Sequence, residues 1–158
     1  MGVEIERRFL ASPQVLPLCG GQGRSIVQGY LWVGSGGNAR IRLEGERAVL
    51  TCKGPKTGCA RRETEIPIPP EDAAGLLAAM PPQTLIRKTR HSLKVGGMEW
   101  CVDVFGGRHR GLIIAEIELD HPAQVFLRPD WVLREITWDA RYGNSSLALS
   151  RDLPGAAA

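Results

Sequence analysis

Residues 3–9 of the chain read VEIERRF, in which charged and apolar side chains nearly alternate. In a β-strand, residues two positions apart point to the same face. A strand over residues 3–10 therefore places Glu4, Glu6 and Arg8 on one face and apolar side chains on the other. That charged face lies either in solvent or in a polar interior, and the pattern of charges in the rest of the chain distinguishes the two.

The same alternation recurs along the chain, in segments separated by glycine-rich turns. We predict β-strands over residues 3–10, 25–33, 38–44, 47–53, 60–68, 84–95, 98–105, 112–120 and 132–138. An Ala/Leu-rich stretch with acids in its first turn predicts a helix from Pro69 to about Met80, with Pro81 and Pro82 ending it. Shorter helices are predicted over Pro122–Leu127 and Ser145–Arg151.

Eight or nine antiparallel strands with a few peripheral helices predict a mainly β (α+β) fold, in the form of a closed or nearly closed β-barrel. The length of 158 residues suits one domain, and no internal repeat divides the chain. We expect a single domain over residues 1–153, followed by a frayed C-terminal tail over residues 154–158.

The composition excludes several protein classes. Hydrophobic residues make up 43% of the chain and charged residues 23%, as in globular domains. No segment approaches the roughly 18–20 apolar residues of a membrane helix, and the charged N-terminus does not resemble a signal peptide. The four cysteines lack the C-x-x-C spacing of a zinc site. These observations predict a cytoplasmic protein with no membrane partner, no disulfide and no structural zinc.

The charged faces of the predicted strands are sorted by sign. For any one strand, a solvated outer face is the simpler interpretation. Like charges close together on one face are mildly destabilising, so their repeated use indicates ligands of opposite charge. The acidic pairs are Glu4 with Glu6, Glu63 with Glu65 and Glu116 with Glu118, and the basic pairs are Arg40 with Arg42 and Lys88 with Arg90.

Each sign predicts its own ligand. Converging carboxylates suit Mg²⁺ or Mn²⁺, which prefer oxygen ligands and retain several waters. Converging Arg and Lys side chains repel one another unless a polyanion lies between them, and the planar guanidinium binds phosphate oxygens in pairs. Without a Walker loop or a G-x-G-x-x-G motif, this pattern indicates phosphate chemistry inside a barrel.

Short motifs that follow one another in a fixed order carry a family resemblance. They are residues 4–10 (EIERRFL), 28–31 (QGYL), 40–42 (RIR), 50–54 (LTCKG), 61–67 (RRETEIP), 88–90 (KTR), 100–105 (WCVDVF), 111–119 (GLIIAEIEL), 135–137 (EIT) and 141–144 (RYGN). The first is similar to an ExExK signature. With these motifs the chain resembles the CYTH superfamily of triphosphate tunnel metalloenzymes, and most of all its short bacterial inorganic triphosphatases. The resemblance runs from Glu4 to about Leu149.

The resemblance implies an eight-stranded antiparallel tunnel whose lumen is charged. It also implies hydrolysis of tripolyphosphate to pyrophosphate and phosphate with Mg²⁺ or Mn²⁺ as cofactor, a small-molecule polyphosphate as substrate and no nucleic-acid partner. The implied metal ligands are Glu4, Glu6, Glu118 and Glu116, supported by the acids Glu63, Glu65 and Asp103. The implied phosphate ligands are Arg8, Arg40, Arg42, Lys53, Arg61, Lys88, Arg90 and Arg134. The implied catalytic residues are Glu4, Glu6, Arg8, Lys53, Lys88 and Glu116.

Two positions depart from the family pattern. Arg8 stands where the signature has Lys, which retains the charge but replaces a compact ammonium with a larger guanidinium. Cys101 stands where relatives often have Glu, and its parity with Asp103 predicts that it faces the lumen. We interpret both as changes that tune rate or substrate choice.

Other functions on the same fold remain open from the sequence. They are a thiamine or nucleoside triphosphatase, a class IV adenylate cyclase and a non-catalytic polyphosphate-binding module. A missing carboxylate would favour the binding module, and none of Glu4, Glu6, Glu116 or Glu118 is missing. A barrel for single-stranded nucleic acid would have few acids in its basic groove, so the acidic pairs argue against it. A homodimer is also left open.

Overall fold

The fold is taken from a computed structural model, which describes residues 2–154. The predicted frayed tail lies, apart from Pro154, outside the described residues. The strands are β1 (Gly2–Ala11), β2 (Arg24–Gly34), β3 (Gly37–Glu44), β4 (Arg47–Lys53), β5 (Ala60–Ile68), β6 (Ile86–Val95), β7 (Met98–Phe105), β8 (Ile113–Glu118) and β9 (Val132–Glu135). The α-helices are α1 (Pro70–Ala79) and α2 (Asn144–Leu149), and 3₁₀ turns cover Pro13–Leu18, Pro82–Thr84, Gly107–His109 and Ala140–Tyr142.

Eight of the strands close into an antiparallel ring. The neighbour order is β5-β4-β3-β2-β6-β7-β8-β1, and β1 pairs back with β5. Closure leaves these eight strands without the free edge that an open sheet would expose. The expected eight-stranded antiparallel β-barrel is therefore confirmed, with β9 as an additional strand alongside β1.

Strand β1 changes neighbour part-way along one edge. Its first residues pair with β5, from Gly2 to Ile5, and its last residues pair with β9, at Phe9 and Ala11. We call this junction the seam, flanked by residues 54–59 before β5 and residues 136–140 after β9. Because β5 and β9 pair with successive halves of the same edge of β1, the loop before β5 and the segment after β9 lie next to each other at the barrel wall.

Apolar clusters lie on the outside of the barrel and at one end of its interior. Trp100 on the outer face of β7 packs against Phe9, Phe126 and Trp131 with ring centroids 5.6–5.7 Å apart. Helix α1 covers the outer faces of β3 and β4. Leu147 of α2 belongs to a cluster with the inward-facing Ile86 and Ile114, so α2 fills the interior at that end.

The predicted strands are confirmed, and the differences lie at element ends and in one loop. Strand β6 begins at Ile86 rather than residue 84, because Pro82–Thr84 forms a 3₁₀ turn, and β9 ends at Glu135 rather than residue 138. The helix predicted over Pro122–Leu127 is wrong. There the Gln124 side chain accepts a hydrogen bond from the Asp120 backbone, closing a turn, and the extended chain that follows packs Phe126 against Trp100.

Among residues 2–154, no helix is both long and apolar enough to cross a membrane.

We expect Trp100→Ala to lower the free energy of unfolding by about 3–5 kcal/mol, because it removes a fully buried indole. Trp32→Ala is the matched control, since Trp32 is 50% exposed, and we expect a loss below about 1 kcal/mol. Urea denaturation of the two variants measures both values. Equal losses would contradict the placement of this core on the outer face of β7.

Candidate active site

The barrel encloses a polar cavity of about 1040 Å³. The sequence-predicted site residues that line it are Glu4, Glu6, Arg8, Arg40, Arg42, Lys53, Arg61, Glu63, Glu65, Arg90, Glu116 and Glu118. The charged faces of the strands therefore point into the lumen, and the solvated-face interpretation is excluded. Cys101 lines the cavity as well, as its parity predicted, and burial raises the pKa of its thiol.

Strand register brings these side chains together. Across β1 and β8, Arg8 lies opposite Glu116 and Glu6 lies opposite Glu118. Residues directly opposite each other in an antiparallel pair point to the same face with Cβ atoms about 5 Å apart. A shift by one residue would turn these charges outward, so the register of β1 fixes the composition of the lumen.

The basic side of the cavity holds more positive charge than its acids neutralise. Arg42 donates from Nε to Gln28 Oε1 at 3.1 Å. Burial, together with the nearby charges of Arg40 and Arg90, lowers the pKa of Arg42 to about 10. Neither Arg40 nor Arg42 forms an ion pair with a carboxylate of the described residues. This wall is therefore prepared for an anion that the protein itself does not supply.

Three guanidinium nitrogens point to the same conclusion. Arg8 Nη2, Arg40 Nε and Arg61 Nε are buried and have no hydrogen-bond partner among the described residues. A buried unsatisfied donor costs about 1–3 kcal/mol, and more when it is charged. A ligand rich in acceptor oxygens would remove that cost.

The acidic side lies on β1, β5 and β8. Burial raises the pKa of Glu6, and the charges of Glu116 and Glu4 raise it further. Burial also raises the pKa of Glu118, followed by the charges of Glu4, Glu6 and Glu63. Negative charge is thus crowded here, as in a site that takes up a cation.

Lys53 partly occupies the place of that cation. Its Nζ lies 2.5 Å from Glu4 Oε2 and 2.6 Å from Glu63 Oε2. Within residues 2–154, no three His, Cys, Asp or Glu side chains are arranged as a metal cluster. An all-carboxylate donor set nevertheless suits Mg²⁺ or Mn²⁺, which prefer oxygen ligands and keep several of their waters. Glu4, Glu6 and Glu118 are the residues that fit such an ion.

Glu116 is bound by cations rather than crowded by acids. It accepts from Arg8 Nε at 3.0 Å and from Arg90 Nη2 at 2.7 Å. Although burial alone would raise its pKa, the charges of Arg90 and Arg8 hold the pKa well below its ordinary value. Both oxygens are thereby engaged, which differs from the expectation that Glu116 is a metal ligand.

Lys88 and Asp103 lie behind the cavity wall. Their side chains are 0% and 1% exposed and form an ion pair, and Asp103 also accepts from Arg90 Nε at 2.7 Å. The pKa of Lys88 is lowered to about 7, chiefly by burial and against the opposing charge of Asp103. The expectation that Lys88 contacts phosphate directly does not fit this arrangement, in which Lys88 acts on Arg90 through Asp103.

Arg134 is the other predicted phosphate ligand that the structure leaves outside. Its side chain is 55% exposed, and it lies 3.6 Å from Asp139 and 3.3 Å from the Tyr142 hydroxyl. Strand β9 pairs with β1 outside the eight-stranded ring, so residues of β9 do not alternate into the lumen.

Sequence reasoning missed Lys56, which also lines the cavity. It lies in the Gly-Pro-Lys-Thr-Gly turn between β4 and β5, where no period-2 alternation indicates a face. Gln28, within the QGYL motif, is a second site residue that sequence reasoning missed, and it orients Arg42. Its position in the sequence offered no chemical signal beyond strand parity.

Comparison with known proteins agrees with this geometry. A family model described as the CYTH domain matches residues 34–151. The chain belongs to the CYTH family.

Two curated CYTH relatives are named inorganic triphosphatase. The protein from Acetivibrio thermocellus is 39% identical over 147 residues, covering 93% of this chain and 94% of its own. The protein from Nitrosomonas europaea is 34% identical over 151 residues, covering 93% of this chain and 97% of its own. Most of the length of both relatives is therefore matched.

Solved structures show the same CYTH fold. The crystal structure of the inorganic triphosphatase NE1496 aligns with a TM-score of 0.67 at 33% identity, covering 96% of this chain and 98% of that one. The structure of a putative adenylate cyclase from Bacillus halodurans aligns with a TM-score of 0.58 at 17% identity, over 77% and 84% of the two chains. The second likeness bears on the fold alone.

We expect Asp103→Ala to lower the free energy of unfolding by about 3–5 kcal/mol, because it leaves Lys88 buried without a counter-ion. Adding Lys88→Met should restore part of that loss. Glu44→Ala is the control, since Glu44 pairs with an Arg24 side chain that is 57% exposed, and it should cost about 0–1 kcal/mol. If Asp103→Ala and Glu44→Ala were equally mild in urea denaturation, the account of the buried pair would be wrong.

Proposed function

We propose that this CYTH protein hydrolyses inorganic triphosphate to pyrophosphate and phosphate in the lumen of its barrel, with Mg²⁺ or Mn²⁺ as cofactor. The observation that carries the proposal is the division of one cavity into a basic wall, whose buried donors lack partners among residues 2–154, and a crowded acidic wall. Triphosphatase relatives that match nearly the whole chain support the same substrate.

The substrate is argued from the basic wall. Tripolyphosphate carries several negative charges near neutral pH, and each of its phosphoryl groups presents acceptor oxygens. Arg40, Arg42 and Arg61 can bind these oxygens, and guanidinium groups do so through paired, charge-assisted hydrogen bonds. Such donors also stabilise the charge that develops on the leaving diphosphate.

Glu4, Glu6 and Glu118 would hold the divalent ion on the acidic wall. A bound Mg²⁺ or Mn²⁺ would supply Lewis-acid polarisation of phosphoryl oxygens and a lower pKa for its water. Lys53 lies beside these ligands and offsets part of their charge through its ion pairs with Glu4 and Glu63. Glu65, also on β5, lines the same cavity and adds to the negative charge of this wall.

The remaining charged residues position the phosphate ligands. Glu116 holds Arg8 and Arg90 at the cavity surface, and Asp103 and Lys88 fix Arg90 from behind. Groups held in this way need not reorganise when charge develops in the transition state, which is the basis of electrostatic preorganisation. We therefore assign direct contact with substrate to Arg8 and Arg90, and a positioning role to Glu116, Asp103 and Lys88.

We further propose that residues 1–153 form one functional domain and that the protein acts in the cytoplasm. The domain proposal is supported by the ring of β1 to β8, which takes strands from most of the chain. The cytoplasmic proposal rests on composition and is tested by cell fractionation.

We expect release of phosphate from tripolyphosphate in the presence of Mg²⁺ or Mn²⁺, and none in EDTA. Glu4→Gln combined with Glu6→Gln should abolish turnover, because it removes two of the three carboxylates that fit the metal. ATP, thiamine triphosphate and pyrophosphate assayed in parallel rank the alternative substrates. The measurement is colorimetric phosphate release, with thermal melting to show that each variant is folded.

The matched control for that assay is Glu46→Gln, an exposed carboxylate in the turn between β3 and β4. It should leave turnover unchanged. A folded wild-type protein that released phosphate from none of the four compounds would overturn the proposal. Binding without turnover would instead favour a polyphosphate-binding module, and cyclic AMP formed from ATP would favour a cyclase.

Binding of tripolyphosphate in the absence of metal should distinguish the contribution of the basic wall from that of the acidic wall. In EDTA, calorimetry should show that Arg40→Met weakens tripolyphosphate binding by about tenfold or more, because it removes a charged hydrogen-bond donor. The Glu4→Gln/Glu6→Gln variant should bind more tightly than wild type, since it removes negative charge from the same cavity. Weaker binding in the acid variant would show that Glu4 and Glu6 do not act as argued.

A further inference from the structure

Lys56 is a cavity residue without an assigned function. It lies in the loop of residues 54–59 at the seam, exposed and lining the same cavity as the arginines. The loop is held in place because Thr57 and Ala60 exchange two backbone hydrogen bonds, of 2.8 and 3.1 Å. The Cys59 carbonyl also accepts from the Glu6 backbone across the seam, at 3.3 Å. Lys56 is therefore presented from a fixed loop.

The ammonium of Lys56 has donors to spare. Its Nζ donates one hydrogen bond, to the Thr137 carbonyl oxygen on the opposite flank of the seam at 2.8 Å. Among residues 2–154, no carboxylate lies within ion-pair distance of it. Lys53 and Lys88, in contrast, are both bound to acids. Since an ammonium has three N–H donors, two remain for a ligand in the cavity.

The surroundings of Lys56 suit an anion. Partial burial lowers the pKa of Lys56, and the charges of Arg8 and Arg61 lower it further, against the opposing effect of Glu6. Arg8 and Arg61 each have a buried nitrogen without a hydrogen-bond partner in residues 2–154. Three cations with unused donors therefore line the same cavity, and the Lys56 ammonium and the Arg8 backbone both bond to Thr137.

Arg8 is not free to follow a ligand. Glu116 and the Tyr142 carbonyl hold its Nε and Nη1, at 3.0 and 3.2 Å. Among the described residues, Lys56 has a single side-chain hydrogen bond, to a backbone carbonyl, and its flexible stem lets it exchange that acceptor for another. It is therefore better able than Arg8 to adjust to a phosphate.

We propose that Lys56 is a substrate-contacting residue, whose ammonium binds phosphoryl oxygens of the triphosphate at the seam of the barrel. The inference rests on the proposed function, because it takes tripolyphosphate as the ligand. It places one end of the substrate between the flanks of the seam, next to Arg8 and Arg61.

The test compares Lys56→Met with Lys56→Arg and with Arg62→Met. Arg62 lies one residue from Arg61 on the outward face of β5 and is exposed, so Arg62→Met removes the same charge outside the cavity. Calorimetry with tripolyphosphate in EDTA gives the dissociation constant at low and high potassium chloride. Metal-dependent phosphate release gives turnover, and thermal melting shows that each variant is folded.

We expect Lys56→Met to weaken binding by about tenfold at low salt. The ratio to wild type should shrink as salt screens the lost charge, and Lys56→Arg should retain most of the affinity. A Lys56→Met variant no weaker than Arg62→Met would overturn the inference, while wild-type turnover would leave the triphosphatase proposal standing. A loss of affinity in Lys56→Met that does not change with salt concentration, together with an equal loss in Lys56→Arg, would show that Lys56 only holds the loop in place. That result would also overturn the inference. A wild type that neither binds nor hydrolyses tripolyphosphate would overturn both.

Discussion

The structure depends on the pairing of β1 with β8, which turns charged side chains of both strands into a closed interior. Charges taken out of water are costly unless they are paired and hydrogen-bonded. Arg8 and Glu116 meet this requirement by lying opposite each other in register and bonding directly. The barrel can hold the rest of its charge only because such pairs neutralise part of it and a solvent-filled cavity hydrates part of the remainder.

The charge that these pairs leave unneutralised forms the proposed substrate and metal sites. Within the described part of the chain, Arg40 and Arg42 have no carboxylate partner on one wall, and Glu6 and Glu118 repel their acidic neighbours on the other. A triphosphate would neutralise the excess positive charge of the first wall, and a divalent cation would neutralise the excess negative charge of the second. The free state thus carries an electrostatic cost that binding removes, which is how a site can be preorganised for charge without being the most stable arrangement of the empty chain.

Much of the fold and of the charged lumen could be predicted from the sequence, because alternation along a strand indicates which side chains share a face. It gave the nine strands, and strand parity correctly placed Cys101 and the acidic pairs in one lumen. Strand parity does not predict how deeply a side chain is buried, however. Lys88 shares a face with Arg90 but lies behind the cavity wall, because it is paired there with the buried Asp103. Strand parity also does not report topology, and Arg134 lies outside because β9 joins β1 beyond the ring. Lys56 was missed because a turn has no period, and Pro122–Leu127 was mistaken for a helix because tertiary packing of Phe126 overrides its weak local preference.

The most direct measurement of the account is a crystal structure of the full chain with Mn²⁺ and a non-hydrolysable imido analogue of tripolyphosphate. Anomalous scattering locates the manganese independently of the phosphorus atoms. We expect manganese bound to oxygens of Glu4, Glu6 and Glu118, with the phosphoryl groups against Arg40, Arg42 and Arg90. Manganese on other residues, or an analogue bound outside the lumen, would contradict the central claim that the two walls of this cavity are built for metal and triphosphate.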